Sequence, residues 1–179
     1  MYSTARKQKL LDDAITVHNI DISRYKGNAR ALCLDYGDRR IGIAVSDMDL
    51  QIASPFKVIN SHGCFPMILS IVDEYSVGLV VVGMPYALNG GNAGKQRKKV
   101  EKFIDKLTCL VAQKFTEQNS DARGLLPIQI ITWDERYSSV EAGGLLREAC
   151  ASKKTKRSCI DKLAASIILQ GALDALVSS

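Results

Sequence analysis

The sequence offers few of the side chains that build zinc and redox centres. Its two histidines, His18 and His62, stand far apart and belong to no partner pattern, so we assign them no site. Five cysteines lie at positions 33, 64, 109, 150 and 159, and no two of them have the C-x-x-C spacing that such centres favour. Widely spaced cysteines of this kind predict reduced thiols and a cytoplasmic protein.

Long apolar runs are also missing, so the sequence predicts no membrane span. The first 30 residues, MYSTARKQKLLDDAITVHNIDISRYKGNAR, lack the apolar core of a secretory signal. Asp12 and Asp13 argue against an organelle transit peptide. We predict that residues 1–30 form an N-terminal extension, partly helical or disordered, and that residues 31–179 form one domain.

The composition is that of a globular domain with a modest basic surplus. A hydrophobic content of 46% and a charged content of 24% exclude a chain that is disordered throughout. There are 24 Lys and Arg against 19 Asp and Glu, which gives a net charge of +5. This surplus is compatible with a nucleic-acid partner and equally with an ordinary solvated surface, so the placement of the basic residues matters more than their number.

Hydrophobic periodicity predicts an α/β fold. Strands are expected at 32–36 and 41–45, joined by turn residues, and a third at 56–59. The run 77-VGLVVVGMP-85 predicts an interior strand covered on both faces, and 128–132 predicts a further buried strand. Apolar residues at helical spacing predict helices at 66–75, 95–115, 140–149 and 160–177. Hairpin strands followed by strands that alternate with helices indicate a mixed sheet flanked by helices.

Acidic residues stand at strand ends and at a helix start. Asp35 lies in the first strand, within 31-ALCLDYGDRRIGIAVSD-47, while Asp134 and Glu135 follow a buried strand and Asp161 opens the last helix. If these elements are neighbours in the sheet, the carboxylates converge and their mutual repulsion calls for a cation. Carboxylate oxygens suit Mg²⁺ or Mn²⁺, and two such ions can activate a water and stabilise the leaving oxygen in phosphodiester cleavage.

Each acid also has a structural interpretation. Asp35 could bond to the adjacent turn, and Asp134 could pair with Arg136 in the loop after its strand. The alternative is stronger for Asp161, because Ser158 and Asp161 have the spacing of a capping box, with serine at the N-cap and the acid at N3. Taken singly, on spacing alone, these positions fit structural roles better than catalytic ones.

The loop 89-NGGNAGKQ-96 resembles a nucleotide-binding P-loop in part. The pattern G-x-x-x-x-G-K-[ST] requires glycine at position 89 and a hydroxyl residue at position 96, where the sequence has Asn89 and Gln96. We therefore exclude a P-loop.

Basic residues form two clusters. The cluster on the long helix (Lys95, Arg97, Lys98, Lys99 and Lys102) is explained adequately by a solvated helix face. The cluster beside Asp161 lies in a predicted loop next to a candidate metal ligand, where it could hold a phosphate backbone. We predict the following residues to bind nucleic acid: Arg39, Arg40, Lys95, Arg136, Lys153, Lys154, Lys156 and Arg157.

In combination, four motifs resemble the YqgF/RuvX family, relatives of Holliday-junction resolvases that are associated with processing of pre-16S ribosomal RNA. The family opens with D-x-G-x-[KR]-R-I-G-x-A-x-S-D, which is DYGDRRIGIAVSD at 35–47. Its middle strand ends in a G-L-P-like turn, here Gly83-Met84-Pro85, and its D-E-R triplet is residues 134–136. The closing pattern K-x-x-x-I-D-x-x-A-A-x-x-I-L-Q spans 156–170.

The resemblance implies an RNase H-like fold, with a five-stranded mixed sheet and helices on both faces. It also implies that Asp35, Glu135 and Asp161 form a catalytic triad that binds Mg²⁺ or Mn²⁺. The implied function is that of a metal-dependent nuclease acting on structured nucleic acid. The expected substrate is the 5′ end of pre-16S ribosomal RNA, which the nuclease would process in ribosome biogenesis.

Three alternatives stay open at this point. The same chemistry could act on a four-way DNA junction, which requires a two-fold dimer, and the sequence fits a monomer or a homodimer. A sugar kinase or actin-like ATPase also uses an Asp-x-Gly hairpin but needs two such domains, and 179 residues supply one. A non-catalytic ribosome-assembly module would use the basic residues alone and would hold no Mn²⁺ at the three acids.

Overall fold

The computed structural model describes the backbone of residues 20–85, 92–118, 128–134 and 153–177, with the side chains of 20–85, 94–114, 128–134 and 159–177. The strands are β1 (Arg30–Tyr36), β2 (Arg40–Ser46), β3 (Ala53–Asn60), β4 (Val77–Met84) and β5 (Gln129–Asp134). The helices are α1 (Phe65–Glu74), α2 (Asn92–Gln118) and α3 (Lys153–Val177), and a short 3-10 helix (Ile22–Arg24) precedes β1.

The five strands form one mixed sheet in the order β3-β2-β1-β4-β5. β1 pairs with β2, and β2 with β3, in antiparallel orientation, whereas β1, β4 and β5 are parallel to one another. The carboxyl ends of the three parallel strands therefore meet at one edge of the sheet. The turn between β1 and β2 lies at the same edge, and we call it the carboxyl edge.

Helices cover both faces of the sheet, as predicted. α1 and α2 pack on the face that carries Leu34 and Val82, whereas α3 packs on the face that carries Cys33 and Val81. All eight residues of β4 are buried, which confirms that this apolar run is an interior strand. Burial of large aliphatic side chains on both faces is the main source of stability for such a sheet.

The start of the last helix differs from the prediction. Residues 153–157 were expected to form a basic loop, but α3 begins at Lys153, so these residues are its first turns. Ser158 therefore lies inside the helix and cannot be its N-cap, and the capping-box interpretation of Asp161 is wrong. Lys and Arg are strong helix formers, and no glycine or proline interrupts this segment, so the helix continues past the local capping signal. The helix predicted at 140–149 lies outside the described residues.

Residues that precede β1 pack against the sheet. Tyr25 is 2% exposed and belongs to the cluster beneath α3. A Cβ at Gly78 would come within 2.5 Å of the Tyr25 ring, so the ring lies directly on the backbone of β4. The domain boundary at residue 30 stays a prediction, since residues 1–19 are not described. Within the described ranges, no helix has both the length and the apolar content to cross a membrane.

Candidate active site

Asp35 stands near the end of β1, the middle strand of the sheet. Strand alternation puts it on the same face as Ala31 and Cys33, which pack beneath α3. The two preceding residues are fully buried and Asp35 itself is half-buried, so the carboxylate lies at the boundary between the core and the surface. β1 pairs with β2 and β4, and Asp35 itself is paired with Gly42 of β2, so its backbone is held within the sheet.

α3 brings Asp161 to the same place through a backbone contact. A Cβ at Gly42 would lie 2.1 Å from the carbonyl oxygen of Asp161, so only glycine allows the helix to approach β2 this closely. Gly42 is the partner of Asp35 in the β1–β2 ladder. Asp161 thus lies above β2, the strand that pairs with β1 at Asp35. In the sequence, residues 35 and 161 are 126 positions apart.

The two acids share an open cleft of about 290 Å³ at the carboxyl edge. The cleft is lined by Asp35, Gly37, Asp38, Arg39, Arg40, Gly42 and Asp161. Gly37 closes the β1–β2 turn, because its N–H donates to the carbonyl oxygen of Arg40 at 2.9 Å. This tight turn presents an acid and two arginines to the cleft.

Ion pairs organise the charges of the cleft. The Nε of Arg40 lies 2.6 Å from Oδ2 of Asp161, with the two side chains 45% and 27% exposed. Nζ of Lys99, on α2, lies 2.5 Å from Oδ1 of Asp38. Arg39 has no ion-pair partner among the residues whose side chains are described, so it is the cation of the cleft that stays open to a ligand.

The third predicted acid, Glu135, lies outside the described residues, and so does Arg136. Asp134 is the last residue of β5 and lies on the same face as Ile130, which packs with α1 and α2. Asp134 is therefore on the opposite face from Asp35 and is not a candidate for the cleft. No group of three His, Cys, Asp or Glu that could hold a metal ion occurs within the described part of the chain.

The predicted nucleic-acid contacts fall at different distances from the cleft. Arg39 and Arg40 line it, and Lys95 is exposed near the start of α2. The remaining predicted residues with a described backbone are helical, in the first turns of α3: Lys153, Lys154, Lys156 and Arg157. The roles of all these residues remain predictions.

Sequence reasoning missed the roles of Asp38, Lys99 and Gln96. The sequence pattern indicates only a turn at Asp38 and only a mismatch to the P-loop pattern at Gln96. In the structure Gln96 Nε2 donates to the carbonyl oxygen of Tyr36 at 3.1 Å and so ties the start of α2 to the end of β1. No local signal could have found these contacts, because they join residues about 60 positions apart.

Several residues of the matching motifs are structural. Ser46 accepts from the N–H of Ala31 at 2.8 Å, and Oδ1 of Asp47 accepts from the N–H groups of Gln51 and Ile52 at 2.8 and 3.0 Å. Gln170 on α3 clamps the same loop, since its Oε1 accepts from the N–H of Ala53 at 2.9 Å. This network lies at the amino end of β1, away from the cleft.

The order of the strands and the helices on both faces define an RNase H-like fold. Among solved structures, RuvC from T. thermophilus in complex with Holliday junction substrate resembles the chain with a TM-score of 0.52 at 12% identity. The match covers 84% of this chain and 97% of RuvC, which confirms the predicted fold.

Sequence comparison then identifies the family. Residues 29–175 match the family model RuvX, described as Holliday junction resolvase. Relatives with the name "Putative pre-16S rRNA nuclease" include one from Halothermothrix orenii, 39% identical over 81% of this chain and 94% of its own. Another, from Caldanaerobacter subterraneus, is 39% identical over 84% of this chain and 99% of its own.

The chain therefore belongs to the RuvX family, and the predicted resemblance is confirmed. The protein is a phosphodiester-cleaving nuclease, as the motifs predict.

Proposed function

We propose that the protein processes the 5′ end of pre-16S ribosomal RNA, cutting phosphodiester bonds with the help of Mg²⁺ or Mn²⁺ bound by Asp35, Glu135 and Asp161. The observation that carries this proposal is the contact between the Asp161 carbonyl and Gly42. It brings a helix carboxylate over the strand that neighbours Asp35, at the mouth of a cleft lined by arginines.

The donor set of the cleft fits a hard divalent cation. Asp35 and Asp161 offer carboxylate oxygens, and the described cleft contains no thiol or imidazole. When bound, such ions supply activation of the attacking water and neutralise charge at the leaving oxygen. The contribution of the chain is to fix the ligand positions, since Asp35 lies in a paired strand and Asp161 in a helix packed on that sheet.

Strand alternation supports Glu135 over Asp134 as the third ligand. Asp134 ends β5 on the α2 side of the sheet, opposite the face where Asp35 lies, which leaves Glu135 as the acid of the D-E-R motif for this role.

The arginines of the β1–β2 turn suit the phosphate of the substrate. Arg39 is open to a ligand, and a guanidinium offers two parallel N–H donors to phosphate oxygens. We assign to Arg39 the binding of the phosphate next to the scissile bond. Arg40 would bind the same nucleic-acid strand once the ion pair between Arg40 and Asp161 opens. Helical spacing also puts Lys154 and Arg157 on the stripe of α3 that contains Asp161, in line with an approach of the strand along this helix.

The names of the relatives support the choice of substrate, and the cysteines support a cytoplasmic location. The relatives carry pre-16S rRNA in their names, which favours RNA over junction DNA for this chain. Among the described cysteines, Cys64, Cys109 and Cys159 form no disulfide, a state that fits the reducing cytoplasm where ribosomes mature.

A cleavage assay with Mg²⁺ or Mn²⁺ tests the proposal. The substrates are a 5′-extended small-subunit ribosomal RNA fragment and a four-way DNA junction, and the proteins are wild type, Asp35→Asn and the control Asp47→Asn. Asn can still accept the loop hydrogen bonds that Asp47 accepts, so the control keeps the fold and changes a carboxylate far from the cleft.

We expect wild type and Asp47→Asn to cut the RNA at its 5′ extension and Asp35→Asn to lose cleavage by several orders of magnitude. Cutting of the junction alone would replace the proposed substrate with a DNA junction. Cleavage by Asp35→Asn at the wild-type rate would overturn the site itself. Binding of the RNA without cleavage by wild type would point to an assembly factor instead.

A further inference from the structure

A row of lysines runs along the solvent side of α2. Positions 95, 98, 99, 102 and 106 follow helical spacing and share one face, opposite the buried residues of the same helix. All five lysines are exposed. We call them the α2 basic stripe: Lys95, Lys98, Lys99, Lys102 and Lys106.

Most of the charge on this stripe is not neutralised by the side chains that the structure describes. Lys99 pairs with Asp38, and Lys106 lies 4.8 Å from the centre of the Phe65 ring. Lys95, Lys98 and Lys102 have no ion-pair partner among the residues with described side chains. Glu101, the acid nearest to them in sequence on this helix, pairs with Arg97 at 2.8 Å instead.

The spacing of the lysines is unfavourable for an ordinary solvated helix face. Such faces usually alternate acids and bases so that residues four apart attract each other. Here Lys95 and Lys99, Lys98 and Lys102, and Lys102 and Lys106 are like-charged pairs at that spacing, and each pair destabilises the helix. An anionic ligand would relieve this repulsion along the whole stripe.

The stripe begins beside the β1–β2 turn, whose residue Asp38 lines the cleft, and leads away from it on the face of the sheet opposite Asp35. Gln96 bonds to the carbonyl oxygen of Tyr36, and Lys99 bonds to Asp38, which lines the cleft. From Lys95 to Lys106 the helix rises about 16 Å at 1.5 Å per residue. A strand whose reacting phosphate lies in the cleft can therefore continue over several exposed cations without leaving the protein surface.

We propose that the α2 basic stripe binds the phosphate backbone of the nucleic-acid arm that leaves the cleft. This inference rests on the proposed function, because it assumes a structured nucleic acid whose cut site lies at Asp35 and Asp161. Lysine ammonium groups hold phosphates as point charges and read no base, so the stripe contributes affinity and orientation without sequence preference. The stripe selects substrates by length, since only those long enough to pass the cleft can reach Lys98 and Lys102.

The test measures binding separately from cleavage, in an Asp35→Asn background. The key protein carries Lys98→Gln with Lys102→Gln, and the control carries Arg24→Gln with Lys26→Gln. Arg24 and Lys26 are also exposed, but they lie near Met48 at the opposite edge of the sheet from the cleft. The probes are a hairpin RNA with a 5′ single-stranded extension and an RNA of eight nucleotides, titrated at several salt concentrations by fluorescence anisotropy.

We expect the stripe variant to bind the hairpin about tenfold more weakly than the control at moderate salt, because two phosphate contacts are lost. The slope of log affinity against log salt should also fall by about 1.5. Affinity for the eight-nucleotide RNA should change less than twofold. An unchanged slope together with equal hairpin affinity in both variants would overturn the proposal.

The outcome for the proposed function is separate. Tight binding of the hairpin through the stripe, without cleavage by the protein with native Asp35, would refute the nuclease assignment and leave the stripe supported. Failure of the Asp35→Asn protein to bind either RNA would refute the stripe as well.

Discussion

The guanidinium of Arg40 reaches across from β2 to α3, where its Nε lies 2.6 Å from Oδ2 of Asp161. The two residues are 121 positions apart in sequence, and both line the cleft. A cation of the protein thus neutralises one of the carboxylates that we assign to a metal ion. Because Arg40 and a metal ion draw on the same negative charge, the two compete for Asp161.

Replacing Arg40 should therefore strengthen metal binding. We expect Arg40→Gln to bind Mn²⁺ threefold to fivefold more tightly, an effect of about 1 kcal/mol for a partly exposed ion pair. Isothermal titration calorimetry, or the electron paramagnetic resonance signal of free Mn²⁺, gives the affinity without any substrate. Arg39→Gln serves as the control because Arg39 lines the same cleft without pairing to Asp161. Weaker binding by Arg40→Gln than by Arg39→Gln would contradict the competition.

Gly42 should tolerate no side chain. The methyl group of Gly42→Ala would lie 2.1 Å from the Asp161 carbonyl oxygen, so α3 must move away from β2. We expect a loss of more than about 2 kcal/mol in the free energy of unfolding, together with loss of cleavage. Urea unfolding followed by fluorescence measures the first effect.

Gly94→Ala is the matched control for that substitution. A Cβ at Gly94, on α2, would meet nothing within 4 Å. This change should stabilise the protein by up to about 1 kcal/mol, because alanine is the better helix former. Equal stability of the two glycine variants would show that the close approach of α3 and β2 does not exist in solution.

Gln170 should matter for stability and not for chemistry. Its amide accepts from the N–H of Ala53 and donates to the carbonyl oxygen of Gln51, both at 2.9 Å. Gln170→Leu leaves the partly buried N–H of Ala53 without its partner, whereas the exposed carbonyl of Gln51 can bond to water, and we expect a loss of about 1 kcal/mol. Cleavage per folded molecule, measured well below the melting temperature, should stay at the wild-type level. The control Gln113→Leu changes an exposed residue on α2 and should alter stability by less than about 0.5 kcal/mol.

Tyr25 should make the fold sensitive to high pH. Burial raises the pKa of the Tyr25 hydroxyl above its ordinary value of 10.0. The unfolded chain then loses this proton at lower pH than the folded protein, so the free energy of unfolding falls as the pH rises above the ordinary value. Tyr25→Phe should show a shallower fall between neutral and alkaline pH in urea titrations. A fall in Tyr25→Phe as steep as that of wild type would contradict the assignment to Tyr25.

Much of the fold can be predicted from local patterns in the sequence. The run at 77–85 is apolar at nearly every position, which predicts a strand covered on both faces. All of β4 is indeed buried. The apolar run before Asp35 and the turn residues after it predict that Asp35 is a strand residue, which the structure confirms. The error at residues 153–158 also has a local cause. A capping signal and a strong helix-forming segment overlap there, and the helix forms over the whole segment instead of starting at the cap.

The assembly of the cleft could not be predicted in the same way. The contact between Gly42 and Asp161, and the pairs Arg40 with Asp161 and Lys99 with Asp38, all join distant parts of the chain. Each depends on how α2 and α3 are placed over the sheet, and spacing within one segment carries no information about that placement. The motif residues Ser46, Asp47 and Gln170 illustrate the converse, since they belong to functional motifs and yet hold a loop together.

The close approach at Gly42 involves main-chain atoms on both sides. Its consequence is that the distance between the two acid-bearing elements is set by atoms that every amino acid shares. Substitutions in the apolar layers, or among the lysines and arginines at the rim, can then accumulate without changing the spacing of the carboxylates. A single small residue in β2 thereby lets the spacing of the two carboxylates persist while the surrounding surface diverges.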